Sequence, residues 1–399
     1  MRYMKRLIRN YLKKYREYLP LKYQRKYFKC VTINSVKGPV KGRALVSYSI
    51  NSAGMPRSHA SLNYHSCAWM SNEIISIFNK YGYIVDCVHY NNRSFIPQKK
   101  YNAIFSFSGD LLRLAAYAPE SNEAIKIWHP GTSSLKYTNL KEIERIKKLI
   151  DRKEGALYSP KRQEPYENME DVILKLADKI IVFGENAKNT FPEEFYGKIT
   201  SIPVASSSEY IKNKEEFVSP KREFIWYFGV GAVLKGLDLV LEVFAKNPQW
   251  TLNIVGPIKD EPDFMKIYKH ELTELPNVKL HGHMNPKSKG FKDIIKRCVC
   301  FIAPSASESI SVACTTMMQT GLYPLVSHNT GIELPEGSGM YLDNCSIDEI
   351  EKKVEQIYSM DSKELTRQIN ETQKFALKEY SREKFTENMD NFLSKVVGI

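Results

Sequence analysis

The chain has no run of 18 or more apolar residues, so no bilayer-spanning helix is expected from it. Its first residues are basic and lack the apolar stretch of a secretory leader. Cysteine is sparse: there are seven, an odd number, with no CxxC pair, which argues against a disulfide framework and against a structural zinc site. A reducing, cytoplasmic compartment is the expectation that follows. The 20 glycines and 19 prolines are scattered, so no low-complexity or collagen-like tract exists. Acidic residues are almost missing from the first 29 positions, where Glu17 stands alone against 11 Lys and Arg.

That imbalance holds most of the chain's formal charge of +13; the other 370 residues carry 47 basic and 44 acidic groups. A near-neutral body gives little support to a general nucleic-acid-binding surface. Residues 1–29 read as a basic amphipathic helix. Met4, Leu7, Ile8, Tyr11, Leu12, Tyr15, Tyr18 and Leu19 recur at helical spacing and the run stops at Pro20. The apolar stripe has two equally good partners: an anionic membrane surface, at the inner face of the cell membrane, or the chain's own first domain.

With 399 residues the chain is long enough for two domains. Strand-like runs at Ala44–Ile50, Tyr83–Tyr90, Tyr101–Phe107, Ala124–Trp128 and Lys179–Phe183 alternate with helical patterns. A polar stretch follows, and a second alternation starts at Glu223, with strands at Phe224–Phe228, Thr251–Val255, Val278–His281, Val299–Ile302 and Tyr323–Val326. This pattern predicts an α/β protein of two doubly wound, Rossmann-like halves facing a cleft. The expected division is a basic helix at 1–29, a first domain at 30–205, a linker at 206–222 and a second domain at 223–380. A helix at 381–399 is expected to return to the first domain.

Two stretches carry chemistry. Strand Phe224–Phe228 runs into Gly229-Val230-Gly231-Ala232-Val233-Leu234-Lys235-Gly236-Leu237-Asp238. Glycines let a backbone approach a ligand, the following helix offers free N–H groups, and Lys235 adds a full charge, as a diphosphate would need. Read alone, the loop fits an ordinary strand-to-helix turn with a solvated Lys better than a phosphate site. It is neither a Walker A loop nor a complete GxGxxG. The second stretch, Pro304-Ser305-Ala306-Ser307-Glu308-Ser309-Ile310-Ser311, puts a carboxylate and hydroxyls where a strand gives way to a helix. Glu308 can accept from sugar hydroxyls there, or merely cap the helix.

Together, Phe224 to Gly331 resembles the second domain of retaining glycosyltransferases of family 4 (glycosyl transferases group 1), which have the two-domain GT-B fold. Lys235-Gly236-Leu237-Asp238, Ile254-Val255-Gly256-Pro257, Pro276-Asn277-Val278 with His281-Gly282, Pro304 to Glu308 and Gly321 to Ser327 carry the likeness. The resemblance implies a hexosyltransferase-type enzyme that moves sugar from a nucleotide-sugar donor to a glycan or lipid-linked acceptor, with no cofactor and no metal. Polysaccharide or glycolipid biosynthesis is the implied setting. By the same analogy Lys235 neutralises the donor diphosphate, Glu308 binds the donor sugar and His129 faces that sugar, these three being the catalytic set. Substrate contacts fall to Gly54, Gly229, Gly231, Lys235, Ser307, Glu308, Ser309, Ile310 and Ser311.

The chain departs from that family twice: Val230 stands where an Arg is usual, and Thr316 where a second Glu is usual. Either the nucleotide is held differently, with loop N–H groups replacing part of the missing charge, or catalysis is weakened or lost. The rival reading is a non-catalytic GT-B protein that binds a glycan or a partner enzyme.

The charge on residues 1–29 generates the first prediction. At roughly 1 kcal/mol per basic side chain near an anionic surface, the full-length protein is expected to sediment with anionic vesicles and to release at high salt. Equal sedimentation of a protein lacking residues 1–29 would reject the membrane contact.

Overall fold

The structure, a computed structural model, describes residues 18–63, 66–206, 211–212 and 222–398. Two sheets organise it. The first has strands β1 (Cys30–Ile33), β2 (Gly42–Tyr48), β3 (Tyr83–His89), β4 (Ala103–Phe107), β5 (Ile125–His129), β6 (Lys179–Phe183) and β7 (Ile199–Ile202), in the order β1-β3-β2-β4-β5-β6-β7. The second has β8 (Glu223–Tyr227), β9 (Leu252–Val255), β10 (Val278–Gly282), β11 (Cys298–Ala303), β12 (Tyr323–Ser327) and β13 (Met340–Leu342), in the order β10-β9-β8-β11-β12-β13. All pairings are parallel except β1 with β3.

Helices cover both faces of each sheet, so the central strands are continuous apolar runs such as Cys298–Ala303, buried along its whole length. Strand order reverses between β2 and β4 in the first sheet and between β8 and β11 in the second. In open α/β sheets such reversals open a crevice at the carboxyl ends of the strands. The expected two doubly wound α/β halves facing a cleft are present. Three strands, β1, β7 and β13, were not expected from the sequence. Each is three or four residues long and lies at a sheet edge, too short to show a periodicity of its own.

The expected basic helix at 1–29 lies outside the described residues up to position 17. Beyond Pro20, a helix at Leu21–Phe28 packs on its own domain: Gln24 accepts from the N–H of Thr32 at 2.8 Å, and Arg25 donates to the carbonyl of Ile50 at 3.1 Å. Most of the expected 206–222 linker likewise lies outside the described residues. At its near end the Ser206 N–H donates to the Tyr380 carbonyl at 3.0 Å. The chain thus leaves the first half and re-enters it at one place.

From there the helix Arg382–Val397 lies on the first domain. Phe385 meets Trp69 and Phe183, with ring centroids 5.7 and 6.4 Å apart, Lys80 pairs with Asp390 at 2.7 Å, and the Tyr83 hydroxyl donates to the Val397 carbonyl. The fully buried Phe385 is the apolar anchor of this return. Phe385→Ala is expected to cost about 3–5 kcal/mol, read as a lower urea midpoint, because a cavity opens between the helix and the first domain. An unchanged midpoint would show that the tail contributes nothing to that domain's stability.

Candidate active site at the carboxyl ends of β8 and β11

Strand β8 ends in a loop whose turn is closed by its own backbone: the N–H of Lys235 donates to the Gly231 carbonyl and that of Leu237 to Ala232, both at 2.9 Å. Gly236 has φ +74°, and a Cβ there would lie 2.6 Å from the Pro304 ring, so only glycine lets the loop rest on the exit of β11. The N–H of Ala306 donates to the Leu234 carbonyl at 2.9 Å and ties the two loops together. The helix Leu237–Lys246 begins immediately after.

This packing drives the Lys235 side chain into the junction. Its ammonium forms an ion pair with Glu308 Oε1 and lies 3.4 Å from the Ser307 carbonyl. Lys235 is only 6% exposed. Burial pushes its pKa below the ordinary lysine value; the Glu308 carboxylate opposes this shift and the nearby charge of Arg162 adds to it.

The second loop is held from both domains. Ser133 Oγ donates to the Glu308 carbonyl at 2.5 Å, and Thr138 and Ser307 share a hydroxyl contact at 3.0 Å. Ser327 Oγ donates to the Ser305 carbonyl at 2.6 Å. Ser311 opens the helix Val312–Gln319, and its N–H donates to the Thr330 carbonyl. A Cβ on Gly184, at the end of β6, would stand 2.7 Å from Ile310 Cγ1, which seats Ile310 against the first domain. Ser307, Ser309, Ile310 and Ser311 are all buried. Thr316 is buried one turn further along the same helix.

His129, the last residue of β5, is boxed by Tyr48, Phe105, Phe107 and Phe183, with ring centroids 4.6–6.3 Å away. Its Nδ1 lies 2.9 Å from the Ile181 carbonyl and therefore carries the proton. Nε2 is left with a lone pair and no partner. Burial in this apolar box pushes the imidazole pKa down to about 4, against the weaker pull of the Ile181 carbonyl. The ring is neutral at physiological pH.

The expected site residues do not all meet. Lys235, Glu308, Ser307, Ser309, Ile310 and Ser311 form one junction. Gly229 is exposed, and a Cβ there would meet nothing within 4 Å. Gly54 lies apart: its φ is +74°, a Cβ would lie 2.8 Å from Leu21 Cδ1, and it lines a cavity of about 550 Å³ with Ile33, Lys37 and Asn79. Its conformation serves the seat of the Leu21–Phe28 helix.

Three residues at the junction escaped the sequence reading. The buried Glu261 accepts from the N–H groups of Gly231 at 2.6 Å and Ala232 at 3.2 Å, and from the Tyr158 hydroxyl at 2.7 Å. Two loop amides expected to face phosphate therefore already hold a carboxylate. Arg162, from the first domain, lies across the same loop, with its Cγ 2.6 Å from where a Gly231 Cβ would be. Glu142 holds the turn that carries Arg162. Nothing local in the sequence links any of the three to the loop. Among the described residues, no group of three or more His, Cys, Asp or Glu could hold a metal ion.

The fold is the two-domain GT-B architecture. Residues 209–375, which contain Lys235 and Glu308, match the family model described as Glycosyl transferases group 1. A search of curated proteins finds no match. Among solved structures, sucrose-phosphate synthase from Thermosynechococcus elongatus superposes with a TM-score of 0.61 at 12% identity, over 90% of this chain and 99% of that one. Anabaena HepE in complex with UDP-glucose superposes with a TM-score of 0.58 at 12% identity, over 89% and 100%.

The buried histidine generates a pH prediction. His129 protonates near 6.5 when unfolded and near 4 when folded, so stability is full above pH 6.5 and falls as the pH drops toward 4. The loss from this group is about 3 kcal/mol over that window. In urea titrations at pH 7 and pH 4.5, His129→Phe is expected to lose less stability than the wild type. An equal loss in both would show that His129 does not set the acid limb.

Proposed function

We propose that this protein is a retaining, metal-independent glycosyltransferase that moves a sugar from a nucleotide-sugar donor to a hydroxyl of a glycan or lipid-linked acceptor. The reading rests on one observation above the others: the Lys235–Glu308 pair, at the strand-order reversal of the second sheet, inside the segment that matches the glycosyltransferase family model.

On donor binding Lys235 exchanges its carboxylate partner for the diphosphate, and Glu308 is released to accept hydrogen bonds from sugar hydroxyls. The N-terminus of the helix Leu237–Lys246 adds partial positive charge on the same side. The bond between the anomeric carbon and the diphosphate oxygen breaks while the acceptor oxygen bonds to the same face of that carbon. The acceptor proton passes to the departing diphosphate. Lys235 stabilises the charge that develops there. The free Nε2 of His129 is an acceptor for a sugar hydroxyl. The cytoplasm, at the inner face of an anionic membrane, is the proposed setting, with residues 1–29 as the contact.

The hold of Glu261 on two loop amides favours a second reading, a GT-B protein that binds a glycan or a partner enzyme without turnover. Donor hydrolysis or transfer by the purified protein separates the two. Under the enzyme reading, Lys235→Ala is expected to lower turnover by a factor on the order of 100 or more, with its far-ultraviolet spectrum unchanged. Turnover near the wild-type rate in this variant would remove Lys235 from the mechanism.

A further inference from the structure

We propose that Arg162, carried by the first domain, is the second cation of the donor diphosphate site and acts beside Lys235 across the domain boundary. This assignment rests on the nucleotide-sugar reading and extends it to a residue that the glycine loop itself does not supply.

The first observation is position. The Arg162 stem lies on Gly231, so a side chain at 231 would collide with it, and its charge is felt at the Lys235 ammonium. Two cations from different domains therefore converge on one loop. The second is availability. Among the described residues Arg162 is exposed, and its guanidinium makes no ion pair or hydrogen bond. Arg145 and Arg152, on the neighbouring helix Leu135–Arg152, are both engaged: Arg145 donates to the Pro304 carbonyl, and Arg152 pairs with Asp238 and Glu242.

The third is that an uncommitted side chain sits on a rigid backbone. The buried Glu142 carboxylate accepts from the N–H of Lys161 at 2.7 Å, from that of Arg162 at 2.9 Å and from Gln163 Nε2 at 2.9 Å. Just before it in the chain, Tyr158 is bonded to Glu261, and Lys161 pairs with Asp263 at 2.6 Å. The Arg162 charge opposes that of the Lys235 ammonium, the Glu164 carboxylate interacts favourably with both, and a further anion brought to the loop is favoured by the two cations together. A diphosphate carries that charge and offers oxygens matched to the planar guanidinium fork. Val230, 37% exposed in the loop, brings no charge of its own. The loop amides of Gly231 and Ala232 are taken by Glu261, which leaves cationic side chains to hold the phosphates.

Two consequences follow. The guanidinium is accessible and the ammonium is not, so a diphosphate meets Arg162 first and Lys235 second. Because the two belong to different domains, a bound diphosphate also bridges them.

The test is calorimetric titration of the full-length protein with UDP, GDP and ADP, each compared with its monophosphate. The wild type is expected to bind at least one diphosphate. Arg162→Gln is expected to weaken that diphosphate tenfold or more and the monophosphate by less than threefold, with an unchanged melting temperature. Diphosphate affinity unchanged by Arg162→Gln but lost in Lys235→Ala would strike Arg162 from the site and leave the donor reading standing. Failure of the wild type to bind any of the three would overturn both.

Discussion

Taking an ammonium out of water at the end of a parallel sheet costs several kcal/mol unless a carboxylate is buried with it. The pairing of Lys235 with Glu308 meets that requirement, and much of the surrounding structure serves to make it. Gly236 lets the β8 loop sit on Pro304, and Ala306 and Leu234 lock the two loops. Ser133 and Thr138 reach over from the first domain to fix the backbone of Glu308 and the hydroxyl of Ser307. A pair of this kind adds little net stability, because Coulomb attraction is largely offset by desolvation. What it provides is a positioned cation and a positioned anion, each ready to take a new partner when a ligand brings the opposite charge.

The same junction couples the two halves. The helix Leu135–Arg152 belongs to the first domain but spends its arginines on the second. The segment that follows it crosses the mouth of the glycine loop and is pinned by Tyr158 and Lys161 to Glu261 and Asp263. The chain passes between halves twice, at Ser206 and at Tyr380, and these passages touch. Chemistry that depends on charge at the loop is therefore sensitive to the spacing of the domains, since one cation comes from each side.

The likeness to solved GT-B structures near 12% identity fits this division of constraints. Strand alternation, apolar strands and order reversal are needed to build two covered parallel sheets, and many sequences satisfy them. The polar groups around the loop come from separate parts of this chain: Glu261 lies 30 residues beyond Gly231, and Arg162 comes from the first domain.

The sequence by itself determined the two α/β halves, the glycine loop with Lys235 and the strand-to-helix turn with Glu308. Each of these is written in a contiguous stretch, as a burial period or a turn chemistry that acts within a few residues. It did not show the edge strands β1, β7 and β13, which exist because a neighbouring strand pairs with them. Nor did it show that Gly54 faces Leu21, or that Glu142, Arg162 and Glu261 attend the loop. Glu261 bonds an amide 30 residues away and Arg162 comes from the other sheet's domain. Only tertiary packing, within each domain and between the two, decided these contacts, because Coulomb forces and hydrogen bonds act through space and leave no period along the chain.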